Sequence, residues 1–169
     1  MISFKVTARA VVLGCTLAAS VAAPAIAQKY GVSVTADKNT DFSRFKTYAW
    51  TPGRPSLDKA IDAQITAAVD RQLAGLGLAK ADSGSGDVQV TYYSVTRTDV
   101  DVNAKPDAKG VRPQKNVGTL VVGMLDPASR RELLRLRADK PLDTDPATFA
   151  TELNAVVAEL FAKYPTAKK

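Results

Sequence analysis

The sequence contains no histidine and a single cysteine. These two scarcities remove much chemistry. Zinc sites are assembled from cysteine and histidine at close spacing, so no metal site is expected. Ser-His and Cys-His nucleophilic pairs fail for want of the base. Cys15 has no second cysteine to join, so no internal disulfide can form and the fold must be held by packing. No glycine-rich phosphate loop is present, since Gly84 and Gly86 precede a strand-like run and not a helix. No cofactor is expected. Internal repeats and domain linkers are also lacking, which leaves one domain.

The apolar residues of the first 27 positions are arranged differently from the rest. Lys5 and Arg9 precede an uncharged run over residues 10–27 (AVVLGCTLAASVAAPAIA). Pro24 interrupts the run, and the small-x-small triplet Ala25-Ile26-Ala27 stands before Gln28. This is the three-part layout of a secretory signal peptide, with cleavage expected after Ala27. The apolar run is short for a membrane span, which takes about 20 residues. Cys15 opens a second reading. Val12-Leu13-Gly14-Cys15 passes loosely as a lipobox, after which the chain would be acylated on Cys15 and tethered to a membrane. Cleavage after Ala27 leaves 169 − 27 = 142 residues and, without Lys5 and Arg9, a net charge of +4 in place of +6. So mild a charge permits attraction to an anionic envelope polymer without demanding it, and makes nucleic acid a poor partner.

Periodicity gives a coarse map of residues 28–165. Tyr30, Val32 and Val34 alternate with small or polar residues, which predicts a first strand. Residues 45–50 read as a second, stopped by Thr51-Pro52-Gly53-Arg54-Pro55. Ser56 is the expected N-cap of a helix, with Asp58 in its first turn. Ile61, Ile65, Val69, Leu73 and Leu76 form one apolar stripe, Asp62, Asp70 and Arg71 are expected in solvent, and Gly75 and Gly77 end the helix. Val88, Val90 and Tyr92 mark a third strand. Residues 98–116 are polar and read as a long exposed loop. Residues 117–125 (VGTLVVGML) form an apolar central strand, and the turn DPAS leads to a fifth, where Leu134 and Leu136 alternate with Arg135 and Arg137. Asp145 caps a last helix with Pro146 at its first position and a stripe of Phe149, Leu153, Val156, Leu160 and Tyr164. Residues 166–169 form a frayed tail. The order β-β-α-β-β-β-α predicts an α+β domain, a mainly antiparallel sheet of about five strands with two helices on one face.

The stretch DFSRFKTYAW (residues 41–50) concentrates four of the eleven aromatics beside Arg44 and Lys46. It serves either as a stacking platform for a ligand or as core. Phe45, Tyr48 and Trp50 are assigned to the core, packed under a helix. Arg131, Arg135 and Arg137 form a cationic row that suits carboxylates or phosphates, and equally suits a solvated face that discourages edge pairing. They are the candidate binding residues. Asp99 with Asp101, and Asp143 with Asp145, are the carboxylate pairs a small hydrolase would need, although a strand end and a helix cap account for them as well.

The stretch DFSRFKTYAW, the helix ending LAGLGL, the strand VQVTYY, the strand GTLVVGMLD with its hairpin, and the terminal AVVAELFAKYP occur in this order. Together they resemble the bacterial envelope family called domain of unknown function 4136 across nearly all of residues 28–165. The resemblance implies an exported protein, often lipid-anchored, of small α+β fold and without an established activity. Family members usually carry tryptophan, arginine and glycine after the hairpin, where this chain has Leu134-Arg135-Leu136-Arg137. The sequence thus predicts a non-enzymatic binding or accessory module, periplasmic in a Gram-negative bacterium, whose partner is an envelope protein or an anionic envelope polymer. The alternatives are a small carboxylate-dependent hydrolase and a lipid-anchored outer-membrane protein.

Overall fold

The computed structural model describes residues 31–82, 86–142 and 146–165. The signal-peptide boundary at Ala25, Ala27 and Gln28, the lipidation candidate Cys15, the Asp143 and Asp145 pair and the 166–169 tail lie outside them. Six strands and two helices follow in the order β1 (Gly31–Ala36), β2 (Thr47–Trp50), α1 (Lys59–Gly75), β3 (Ala79–Lys80), β4 (Val88–Val100), β5 (Gln114–Leu125), β6 (Glu132–Pro141) and α2 (Pro146–Phe161). One sheet holds all six strands in the order β1-β6-β5-β4-β2-β3. The β1–β6, β6–β5 and β5–β4 pairs are antiparallel, whereas β2 runs parallel to both β4 and β3. The expected α+β class holds. The extra strand is β3, two residues long and too short to show a period, and α1 is the crossover that makes β2 and β3 parallel.

Alternation decides which face of the sheet is dry. Val32, Val34 and Ala36 of β1, Leu134, Leu136 and Ala138 of β6, Leu120, Val122 and Met124 of β5, and Val88, Val90 and Tyr92 of β4 pack into one core. The helices cover that face. Ile65, Val69 and Leu73 of α1 and Val157, Leu160 and Phe161 of α2 are at most 5% exposed. Each such side chain, fully buried, contributes about 1.5–3 kcal/mol. Among the described residues no helix lies over the other face, where Ser33, Thr35, Arg135 and Arg137 are exposed.

Local chemistry sets the ends of the elements. Asp58, not Ser56, caps α1: its Oδ1 accepts from the backbone N–H of Ala60 (2.8 Å) and Ile61 (3.3 Å). A carboxylate serves that place better than a hydroxyl because it meets the positive end of the helix dipole. At the other end Leu78 N–H reaches Leu73 O (3.0 Å) and Gly77 N–H reaches Ala74 O (2.9 Å), with Gly77 at φ +83°. This left-handed closure needs glycine. The β5–β6 hairpin is tied by the Asp126 carboxylate, which accepts from Ser129 N–H (2.6 Å), Ser129 Oγ (2.8 Å) and Ala128 N–H (3.1 Å).

The expected loop over residues 98–116 is shorter than the polarity implies. Thr98, Asp99 and Val100 pair with Asn116, Lys115 and Gln114, so β4 and β5 run on and only residues 101–113 connect them. Residues 96–100 and 114–116 at this end of the hairpin are exposed or half-buried on both faces. Neither of its faces needs apolar residues, and the apolar period that marks a strand is therefore lost.

Candidate functional site

Two regions compete as the functional site: the uncovered sheet face with its arginines, and the space between the sheet and the helices. On the uncovered face Arg135 and Arg137 stand side by side, opposite Gly123 and Val121 of β5. A bulge between Met124 and Leu125 puts Arg131 in the hairpin turn, out of the row. Each guanidinium already holds an acid. Arg131 reaches Asp37 (2.6 Å), Arg135 reaches Glu132 (2.9 Å), and Arg137 reaches Asp139 (2.8 Å). Arg97 of β4 joins from the side, 2.8 Å from Asp139 and 3.1 Å from Asp99, with its Nη1 also on Thr119 Oγ1 (2.6 Å). The hydrogen bond from Arg137 holds the Asp139 carboxyl well below the usual carboxylate range, helped by Thr119 and Arg97 and opposed by burial. Asp139 in turn holds the Arg137 guanidinium protonated more firmly. Asp37 is lowered by the N–H of Asn39, then by Thr40 and Arg131. The row is thus an ion-pair lattice with little net charge, a weaker lure for a polyanion than four bare arginines.

The aromatics of residues 41–50 turn toward the helices. Phe42 opens a single 3-10 turn (Phe42–Arg44) and packs edge-on against Phe45 (5.9 Å) and Tyr164 (5.8 Å). Tyr48 is 2% exposed, while Phe45 and Trp50 are half-buried and packed against the core. Asp70 of α1 accepts from Tyr48 Oη (2.7 Å) and Trp50 Nε1 (2.8 Å) through one oxygen, and its other oxygen takes Lys80 Nζ (3.1 Å). Two helical turns earlier Asp62 accepts from Tyr92 Oη, whose ring meets Trp50 edge-on at 6.2 Å. Asp62 and Asp70 are therefore not on the solvent face but on a polar seam between α1 and β2–β4. Their spacing of eight residues, two helical turns, carries the signal, but carboxylates are ordinarily read as solvated. Burial, then the bond to Asp70, pushes the Tyr48 hydroxyl far above its ordinary value. Burial, with Asp62, pushes Tyr92 up to about 12.

A cavity of about 150 Å³ lies beyond this seam, where the sheet and the helices separate. Ile61 and Ile65 of α1, Leu120 of β5, Ala138 of β6, and Leu153 and Val156 of α2 form its apolar walls. Ser56, Ser94 and Thr96 add hydroxyls, and Lys140 and Glu152 add charge. Lys140 is paired with Glu159 at 2.8 Å. The sequence reading did not single out this space, because its lining is drawn from five elements whose apolar stripes look like ordinary core. The carboxylates at residues 99 and 101 lie elsewhere: Asp99 meets Arg97, and Asp101 Oδ1 accepts from Asn103 (3.0 Å) and Ala104 (3.2 Å) N–H. Among the described residues no cluster of three or more His, Cys, Asp or Glu stands close enough to hold a metal, and no helix is long and apolar enough to cross a membrane.

A mixed sheet with two helices on one face, a largely neutralised outer face and a small apolar cleft defines the class: an α+β domain organised around packing. The chain belongs to the family described as a domain of unknown function, DUF4136, which matches residues 32–166. No curated protein matches it in sequence. Among solved structures it is similar to a PDZ domain protein from Parabacteroides distasonis, at 15% identity and a TM-score of 0.55 over 83% of this chain. It spans 36% of that protein's length. It is also similar to the PelC dodecamer from Paraburkholderia phytofirmans, at 10% identity and a TM-score of 0.50, covering 83% of this chain and 99% of that one. At such identity the likeness is one of fold.

Proposed function

We propose that this chain is a non-enzymatic binding or accessory module of the bacterial envelope, and that the cleft between sheet and helices takes the apolar end of its ligand. The observation that carries the reading is the cleft itself. Its volume of about 150 Å³ suits an aromatic ring or a short acyl segment. Its lining offers apolar contact and a few orienting polar groups, the usual make-up of a binding site. The first 27 residues support export, with a periplasmic or membrane-tethered place decided by Ala27 against Cys15. The neutralised arginines favour an envelope protein over an anionic polymer as the macromolecular partner.

The test is binding of a dansyl-labelled medium-chain fatty acid, followed by fluorescence. Ala138 lines the cavity and is 1% exposed. Ala138→Leu puts three more carbons into that space, so the probe should bind at least about tenfold more weakly. The melting temperature should hold, because filling a void restores packing contacts. A probe that ignores the wild-type protein, or binds A138L equally well, sinks the reading.

A further inference from the structure

The edge of β4 beyond Ser94 carries no neighbouring strand among the described residues. β2 and its extension stay with β4 only as far as the Arg54–Tyr93 bridge, where Arg54 N–H donates to Tyr92 O (3.0 Å) and Ser94 N–H to Arg54 O (3.1 Å). Tyr92 and Ser94 thus turn their backbone groups to this edge. By alternation Thr96, Thr98 and Val100 do the same, while residues 95, 97 and 99 turn theirs toward β5. The register with β5 runs without a bulge from Gln89 to Val100, and residues 95–100 (VTRTDV) contain no proline. Proline and a bulge, two of the devices that blunt an exposed edge, are therefore missing from this stretch. The exposed large apolar side chains gather at this place. Val95, Val100 and Val102 lie on the strand or just past it, and Leu57, fully exposed, lines a groove with Ser94 and Val95.

We infer that this edge is a docking surface for a second copy of the chain, joined antiparallel through Thr96, Thr98 and Val100 about a two-fold axis at Thr98. Charge chooses both the partner and the register. Centred on Thr98, each Arg97 faces Asp99 of the second copy across a non-hydrogen-bonded pair, the arrangement in which side chains approach most closely. A shift to the next register in one direction sets Arg97 against Arg97, and in the other Asp99 against Asp99. Both repel. Thr98 then faces Thr98, and each Thr96 faces Val100 of the second copy, closing the backbone bonds of all three exposed residues. The same register brings Val102 of the second copy to the level of Ser94, beside Leu57. There the strand must leave the ladder, because Arg54 already occupies Ser94. It does leave, since the chain turns at residues 101–104, with Ala104 N–H on Asp101 O (3.3 Å). The interface is isologous and closes at two copies. It meets the cleft lining at Ser94 and Thr96, but the variants that test it, at Thr98 and Asp99, lie outside that lining, so this inference and the proposed ligand fail separately.

The test is sedimentation velocity of protein expressed from the full-length sequence, from micromolar to millimolar concentration. The mass should rise from one copy to two. Thr98→Pro removes the central donor while leaving the backbone bonds to β5 in place, because the Thr98 N–H faces outward; the one bond to β5 it gives up is from the Thr98 side chain to Asn116 (3.1 Å). It should weaken association by at least about tenfold, with the circular dichroism spectrum retained. Asp99→Arg sets Arg97 against a second arginine and should weaken it likewise, which keeps the test open if T98P does not fold. A single-copy mass throughout the range overturns the inference. Association that both variants leave unchanged overturns it equally, since another surface would then be responsible.

Discussion

Replacing Asp70 by alanine tests the seam on which the aromatic stretch depends. The carboxylate accepts from Tyr48 Oη at 2.7 Å and Trp50 Nε1 at 2.8 Å. A hydrogen bond to a charged group contributes about 1.5–3 kcal/mol, and a buried donor left without its partner costs a similar amount. Tyr48 is 2% exposed and has no water to turn to, so its full share is lost. Trp50 is half-buried and recovers part of its share from solvent. The Lys80 pair, with the lysine side chain 53% exposed, adds little. The expected loss is about 3–4 kcal/mol, or roughly 10–15 °C in melting temperature for a domain of this size. Thermal and urea unfolding followed by circular dichroism measure it. Trp50 is the sole tryptophan, so its emission should also shift to the red in the folded variant. Tyr48→Phe should cost about 1–2 kcal/mol alone and much less in the Asp70→Ala background, because the two groups share one interaction. A melting temperature that falls by less than about 4 °C, or fully additive losses, would refute the reasoning.

Two pH effects follow from the same pairs. Burial raises the Tyr92 and Tyr164 hydroxyls to about 12, and Tyr48 further still with help from Asp70. The folded values lie above the unfolded one of about 10, so this stability is complete below pH 10 and lost as pH climbs through the folded values. The absorbance of these three tyrosinates should appear together with unfolding, not before it. Asp139 has the opposite sign. The Arg137 hydrogen bond depresses its folded value, so its contribution is present above about pH 4 and lost as pH falls toward that value. Asp139→Asn should lower stability at neutral pH and flatten the acid limb of a stability-against-pH curve; an unchanged limb would show that the lattice does not hold the sheet face.

The sequence showed most of what apolar period controls. Ile65, Val69 and Leu73 lie buried where the stripe of α1 places them, and Leu134 and Leu136 point to the core with Arg135 and Arg137 outside. Illegible were the features set by partners far along the chain. The reach of β4 to Val100 depends on pairing with Gln114, and polar residues on both faces hide it. Asp62 and Asp70 read as solvated because their partners, Tyr92 and Tyr48, come from other elements. The arginines were visible, but the acids that neutralise them were not: Asp37 lies 94 positions from Arg131. The cleft is a gap between five elements, and no local pattern marks a gap.

The segment TPGRPSL links the two proposals. Thr51 N–H still bonds Val90 O (2.8 Å), which carries the β2 line past Trp50. Gly53 then lies so close to β4 that a Cβ there would sit 2.3 Å from Tyr92 O, so only glycine lets the chain run in contact as far as Arg54. The next donor on this side, Ser56 N–H, goes to Tyr92 Oη (3.2 Å) instead of the β4 backbone, and the ladder ends. The chain turns away through Ser56, which lines the cleft, and Leu57, which lines the groove beside β4, and Asp58 starts α1. This departure leaves the β4 edge beyond Ser94 without a neighbouring strand among the described residues and sets the wall of the cleft. A longer β2 would have covered the edge that the Arg97 and Asp99 pattern suits to a second copy.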